Sequence, residues 1–170
     1  GVDDSVARVA SYRNAVAWSV DRFMADLFAK ADFSDTTMVY TSDHGQALDP
    51  GKLSHCVVDN PDARTALVPL LVATDDAVLQ AELAAAARQR HGKASHFQIA
   101  PSVLSWMGYG DSDIATAYDE SLVSGNREPA FTAGDVFGLF SSAVHWTPVD
   151  TAQDRIEAAG RKLLPRTAVG

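Results

Sequence analysis

Asp43 and His44 stand side by side in TTMVYTSDHGQ, residues 36–46, between a short β-branched stretch and Gly45. A carboxylate and an imidazole are donors that suit a hard or borderline divalent cation. If the β-branched stretch is a buried strand, the pair sits at its carboxyl end, where open α/β sheets place their ligands. Gly45 then permits a sharp turn directly after the pair. At this level an Asp-His turn that binds nothing is the alternative, because polar turns of this kind are common.

Other side chains with chemical potential are sparse. His55 and Cys56 are adjacent, but neighbours on a strand point to opposite faces, so a Cys-His nucleophile would need a turn there. Cys56 reads instead as a partly buried structural thiol. As the single cysteine it excludes an internal disulfide and any multi-cysteine zinc site. Ser42 precedes the Asp-His pair and raises a self-sufficient hydrolase built from Ser42, Asp43 and His44. No Gly-x-Ser-x-Gly elbow supports it. His91 and His145 belong to no pattern.

The elements that must position these residues follow from periodicity. Val9, Val16, Val20, Phe23, Leu27 and Phe28 recur at three- and four-residue steps, which predicts one amphipathic helix over residues 5–31. Asp3, Asp4 and Ser5 are its candidate caps. A strand is expected at Thr36–Thr41. Residues 46–63 carry Pro50, Gly51, Asn60 and Pro61 and predict a long loop. The run Leu67–Ala73 predicts a second strand buried on both faces, with Pro69 marking an edge or an interruption. Thr74, Asp75 and Asp76 cap an Ala-rich helix through Arg90, stopped near Gly92. A shorter helix is expected over residues 98–107, with Pro101 in its first turn and Gly108 past its end. Beyond Gly110, FTAGDVFGLF and AVHWTPV suggest small antiparallel strands. The tail from Thr151 reads as a polar helix ending in a disordered terminus.

Length and charge bound the function. One domain with a sizeable core is the natural expectation for 170 residues. Fourteen basic against twenty-two acidic residues give a net charge of −8, which argues against a nucleic-acid-binding surface. An anionic substrate stays open, since a bound cation reverses the field inside one pocket. No segment approaches the roughly 20 apolar residues of a membrane span. No secretory signal pattern opens at residue 1, so targeting information, if any, is expected outside this sequence.

Taken in order, the motifs carry a resemblance. A helix with Tyr12, Asn14, Ala15, Val16 and Asp21 leads into the strand and TSDHGQ. His55, Arg64 and Val68-Pro69-Leu70-Leu71 follow, then Ser95-His96, Ala100-Pro101-Ser102-Val103-Leu104 and Gly108-Tyr109. Residues 12–109 resemble the C-terminal half of the sulfatase-like branch of the alkaline phosphatase superfamily. That branch holds sulfatases, phosphonate and phosphodiester hydrolases, lipoteichoic acid synthases and phosphoethanolamine transferases. The resemblance implies an α/β fold, part of an alkaline-phosphatase-like three-layer sandwich over residues 1–150. A small antiparallel strand-rich subregion would occupy about 111–150, and residues 151–170 a C-terminal tail.

The same resemblance implies a chemistry. A metal-activated Thr, Ser or formylglycine attacks phosphorus or sulfur, and water or an acceptor alcohol resolves the covalent intermediate. Asp43 would be a metal ligand and His44 a ligand or a contact to the transferred group. The cation is expected to be zinc, with calcium or manganese as alternatives. His55 matches a histidine of phosphoethanolamine-transferase-like members. It would touch the phosphoryl group or a second metal and donate a hydrogen bond to a leaving oxygen. Lys52, after Gly51, falls near a sulfate-binding lysine of sulfatases, with a plain surface lysine as the alternative. His96 has a family counterpart, but a capping or packing role is expected of it here.

Three departures qualify the likeness. No upstream nucleophile with its acidic ligand is in the sequence. Cys56 is followed by Val57-Val58-Asp59, so no Cys-x-Pro-x-Arg signature is present. Gln98 stands where many relatives carry Asp. The expectation is therefore a fragment of a metal-dependent phosphoryl- or sulfuryl-transfer enzyme, weak in metal affinity and inactive alone. Phosphoethanolamine-transferase-like chemistry is preferred on His55, with sulfatase-like hydrolysis beside it. Its partners would be an anionic phosphate or sulfate ester and the missing N-terminal half of the parent. It would meet a membrane only through parent segments absent here, and would lie outside the cytoplasm, in the periplasm or at the cell surface. The competing expectation is a non-catalytic α/β interaction module that kept the fold and lost the chemistry.

Overall fold

The computed structural model describes residues 4–48, 61–90, 92–132 and 145–149. Two compact units emerge among the described residues, one built on residues 4–48 and 61–75, the other on residues 76–90, 92–132 and 145–149.

In the first unit the expected helix runs over Asp4–Lys30 with an interruption. Helix α1 spans Asp4–Val16, a π-helical turn spans Ala17–Asp21, and α2 spans Arg22–Lys30. Ser19 sits at the cause of the break. Its hydroxyl donates to the Ala15 carbonyl at 2.5 Å, in competition with the ordinary backbone ladder. The Arg22 N–H then reaches five residues back, to the Ala17 carbonyl. One extra residue in the turn rotates the following face. Val9, Val16, Val20 and Leu27 are half-buried as the spacing predicts, but Met24 takes the place expected of Phe23, which is exposed. Phe28 leaves the stripe as well and stacks on Phe33 at 5.3 Å between ring centroids.

Strand β1, Thr37–Thr41, pairs antiparallel with β2, Leu70–Thr74, in the register Thr37↔Thr74 through Thr41↔Leu70. The threonines at the open end join through their hydroxyls at 2.9 Å. β2 begins directly after Pro69, which has no N–H to give to a ladder. The expected strand over Leu67–Ala73, buried on both faces, is therefore corrected. It starts three residues later, and Leu70 and Leu71 are 36% and 39% exposed.

The second unit is mainly helical. Asp76 caps α3, Ala77–Gln89, accepting the Val78 and Leu79 N–H groups at 2.8 and 3.1 Å. Leu79 and Ala86 face its core, and Gly92, with φ +76°, follows the helix end. Ser95 caps a 3₁₀ turn at His96–Gln98 that feeds α4, Ile99–Trp106. The cap is thus Ser95, whose backbone N–H is in turn bound by Gln98, and His96 is exposed. Pro101 and Ser102 are buried in the first turns of α4, and Gly108 (φ +88°) lies past its end. A short helix α5, Asp111–Ala115, follows, which periodicity did not reveal. The expected small antiparallel strands appear as β3, Ala130–Thr132, paired with β4, Trp146–Pro148. The tail from Thr151 lies outside the described residues.

Polar side chains tie this unit together. Ser102 donates to the Gln98 carbonyl at 2.7 Å and accepts the Leu122 N–H at 2.8 Å. Arg90 grips the Leu122 and Gly125 carbonyls. Gln98 is buried and links Ser95 to Glu120. The Arg127 N–H, at 3.1 Å, is the main influence holding the Glu120 carboxyl below its ordinary value, against partial desolvation. A depressed carboxylate contributes stability that is present above its unfolded pKa and lost as pH falls through its folded one. Acid unfolding of the parent should therefore steepen below the ordinary glutamate range, about 4.3. Glu120→Gln should be less acid-sensitive in that window. Identical acid profiles would contradict this role for Glu120.

Helices with small antiparallel sheets are compatible with the expected α/β class. Among the described residues a three-layer sandwich is not assembled, and no helix is long and apolar enough to cross a membrane.

Candidate functional site

The bend after β1 carries the pair. Its following segment is anchored at three points. Gly45 donates its N–H to the Thr65 carbonyl at 2.8 Å. Ala47 and Leu48 are buried. Arg8, on α1, donates to the Leu48 carbonyl at 2.9 Å. A fixed base with an exposed apex results: the Asp43 side chain is 86% and that of His44 41% accessible.

Gly45 has a different reason from the turn freedom its type suggested. A Cβ there would stand 2.3 Å from the Arg64 carbonyl oxygen and 2.6 Å from that of Leu67. The position needs room, not an unusual φ.

At the apex, Asp43 Oδ1 accepts the His44 N–H at 2.9 Å, and His44 Nδ1 lies 2.9 Å from the Gly45 carbonyl. A carbonyl oxygen only accepts, so Nδ1 carries the proton and the neutral ring has its lone pair on Nε2. That atom stands 3.8 Å from Asp43 Oδ2. Two donors about 2.0–2.2 Å from a tetrahedral cation stand roughly 3.4 Å apart, so a shift of a few tenths of an ångström in these exposed side chains would let both reach one ion. The His44 N–H is the main influence holding the Asp43 carboxyl below the ordinary carboxylate range. It is ionised at neutral pH, as a ligand must be.

Ser42 does not complete a nucleophilic dyad. Its hydroxyl donates to the His44 carbonyl at 3.0 Å and approaches Asp43 Oδ1 at 3.3 Å, turned to the main chain and the carboxylate instead of the ring. The self-sufficient Ser42 hydrolase loses its geometric basis. His55, Lys52, Cys56 and His91 lie outside the described residues. Among the described residues no group of three His, Cys, Asp or Glu stands together to hold a metal.

Comparison with known families matches residues 3–109, more than half of the chain, to Sulfatase. The chain belongs to the Sulfatase family. The matched span contains β1, the Asp43–His44 bend, the turn before β2, and α4, the elements on which the resemblance to the sulfatase-like branch of the alkaline phosphatase superfamily rests. No curated protein and no solved structure matches the chain. Sulfatase-family proteins act on sulfate esters and generally use a divalent metal.

Two parts of this candidate site were not evident from motif reading: Thr65, which receives the Gly45 N–H, and Arg8, which holds Leu48. Neither contact has a local signature, because its partners are 20 and 40 residues apart.

Proposed function

We propose that the chain carries part of the metal and substrate site of a metal-dependent enzyme acting on anionic sulfate or phosphate esters. The attacking oxygen would come from outside the described residues. The carrying observation is the 3.8 Å separation of Asp43 Oδ2 and His44 Nε2 in a Sulfatase-family chain. Asp43 brings a full negative charge to the site, and His44 a neutral donor whose orientation the Gly45 carbonyl sets. A divalent cation bound there would neutralise the ester's charge and lower the pKa of the attacking oxygen. The exposed apex leaves space for an ester oxygen beside both side chains. Lys52 and His55 are assigned to the substrate group, His55 as the donor to the leaving oxygen. Zinc is the first cation to test, with calcium and manganese next. An extracytoplasmic location fits the family.

With two donors in place among the described residues, metal affinity should be weak, and anion binding should depend on the metal. Adding inorganic sulfate to the zinc-loaded chain should shift the His44 ring signals in NMR spectra. The metal-free chain should not respond at the same sulfate concentration. A response that is equal with and without zinc, or confined to the second unit, would rule out this assignment.

A further inference from the structure

Residues Asp62–Thr65 lie behind the pair and have no place in the chemistry so far. Asp62 accepts the Arg64 N–H at 3.0 Å, capping a 3₁₀ turn at Ala63–Thr65. Its carboxylate also takes a two-pronged contact from the Arg64 guanidinium, Nε to Oδ1 at 2.9 Å and Nη2 to Oδ2 at 2.5 Å. Thr65 closes the turn by donating its hydroxyl to the Asp62 carbonyl at 2.6 Å. The side chains of Asp62 and Arg64 are half-buried, which strengthens charge-assisted contacts relative to a surface pair.

The Thr65 carbonyl is the acceptor of the Gly45 N–H, and the Gly45 carbonyl is the acceptor of His44 Nδ1–H. From these contacts we infer that Asp62 is a positioning residue: through the Ala63–Thr65 turn and the Gly45 peptide it fixes the tautomer and orientation of His44. A fixed Thr65 carbonyl holds the His44–Gly45 peptide plane. The Gly45 carbonyl lies in the next plane, and the close approach of the Arg64 and Leu67 carbonyls to Gly45 limits rotation between the two. Held in this way, the Gly45 carbonyl keeps the proton on Nδ1 and the lone pair on Nε2. Outer contacts of this kind decide which ring nitrogen is available to a ligand. The inference rests on the proposed metal role of the pair for its purpose, though not for its geometry.

Nitrogen-15 NMR of the His44 ring, at a pH where the ring is neutral, reads the tautomer directly. Hydrogen exchange at the Gly45 amide reads the clamp. The parent should show the Nδ1–H form and a protected Gly45 amide. Asp62→Ala should shift the ring toward the Nε2–H form and speed Gly45 exchange about tenfold, the loss of one hydrogen bond's worth of protection. Thr65→Val, close in shape, should move both readouts the same way while β1–β2 amides stay protected. Asp62→Asn, which keeps a capping oxygen, should preserve the parent tautomer. Where the parent binds zinc, Asp62→Ala should weaken it about 10–100-fold. Parent tautomer and parent Gly45 exchange in both Asp62→Ala and Thr65→Val would overturn the inference. A parent that binds no zinc would sink the metal assignment alone, and the tautomer and exchange would still decide the role of Asp62.

Discussion

Replacing Gly45 by alanine should destabilise the first unit by about 3 kcal/mol. The added methyl would meet the carbonyl oxygens of Arg64 and Leu67 at 2.3 and 2.6 Å. Both are main-chain atoms, so no side-chain rotation relieves the clash. The bend must retreat from the turn, and the 2.8 Å hydrogen bond from Gly45 to Thr65 goes with it. Overpacking of this kind costs about 1–3 kcal/mol, and a lost backbone hydrogen bond about 1 more. Against a total stability of about 5–15 kcal/mol, that is a large fraction. Urea unfolding followed at β1–β2 should show a clearly lower midpoint for Gly45→Ala. A midpoint equal to that of the parent would mean that the close approach at Gly45 does not exist in solution.

Asp43→Ala has the opposite character. Its side chain is largely in water and makes no packing contact that the fold depends on, so stability should change by less than about 1 kcal/mol. Function should change far more. Removing Asp43 takes away the carboxylate 3.8 Å from His44 Nε2, and with it the negative charge that a hard or borderline cation needs. Metal binding should be lost while the fold stays intact. The two substitutions, two residues apart, thus separate the base of the site from its apex.

How much of this was legible beforehand depended on the range of the contacts involved. Asp43 and His44 could be placed after a strand because β-branched composition and the following glycine are local signals. The caps at Asp76 and the stops at Gly92 and Gly108 were equally local. The helix at the start was found, but its π turn was not. A serine hydroxyl bonded four residues back leaves no mark on hydrophobic spacing, and so Met24 was passed over in favour of Phe23. The second strand was expected from Leu67, with Pro69 as an edge or an interruption; Pro69, which has no N–H, is where the ladder in fact stops, and β2 starts at Leu70. Helix α5 is short and polar at its start, too brief for periodicity to register. Gly45 was read for its flexibility. Its true constraint, the approach of residues 64–67, is a tertiary fact. Asp62 carried no signal for the same reason, since its influence on His44 passes through two backbone carbonyls.

The most direct test of the central claim is a calorimetric titration with zinc, calcium and manganese on the parent chain and on Asp43→Ala. At least one cation should bind the parent, weakly and with about one site, and the heat should vanish in the variant while its unfolding curve stays that of the parent. Binding that survives unchanged in Asp43→Ala, or a parent that takes none of the three cations, would contradict the assignment of Asp43 and His44 as a metal site.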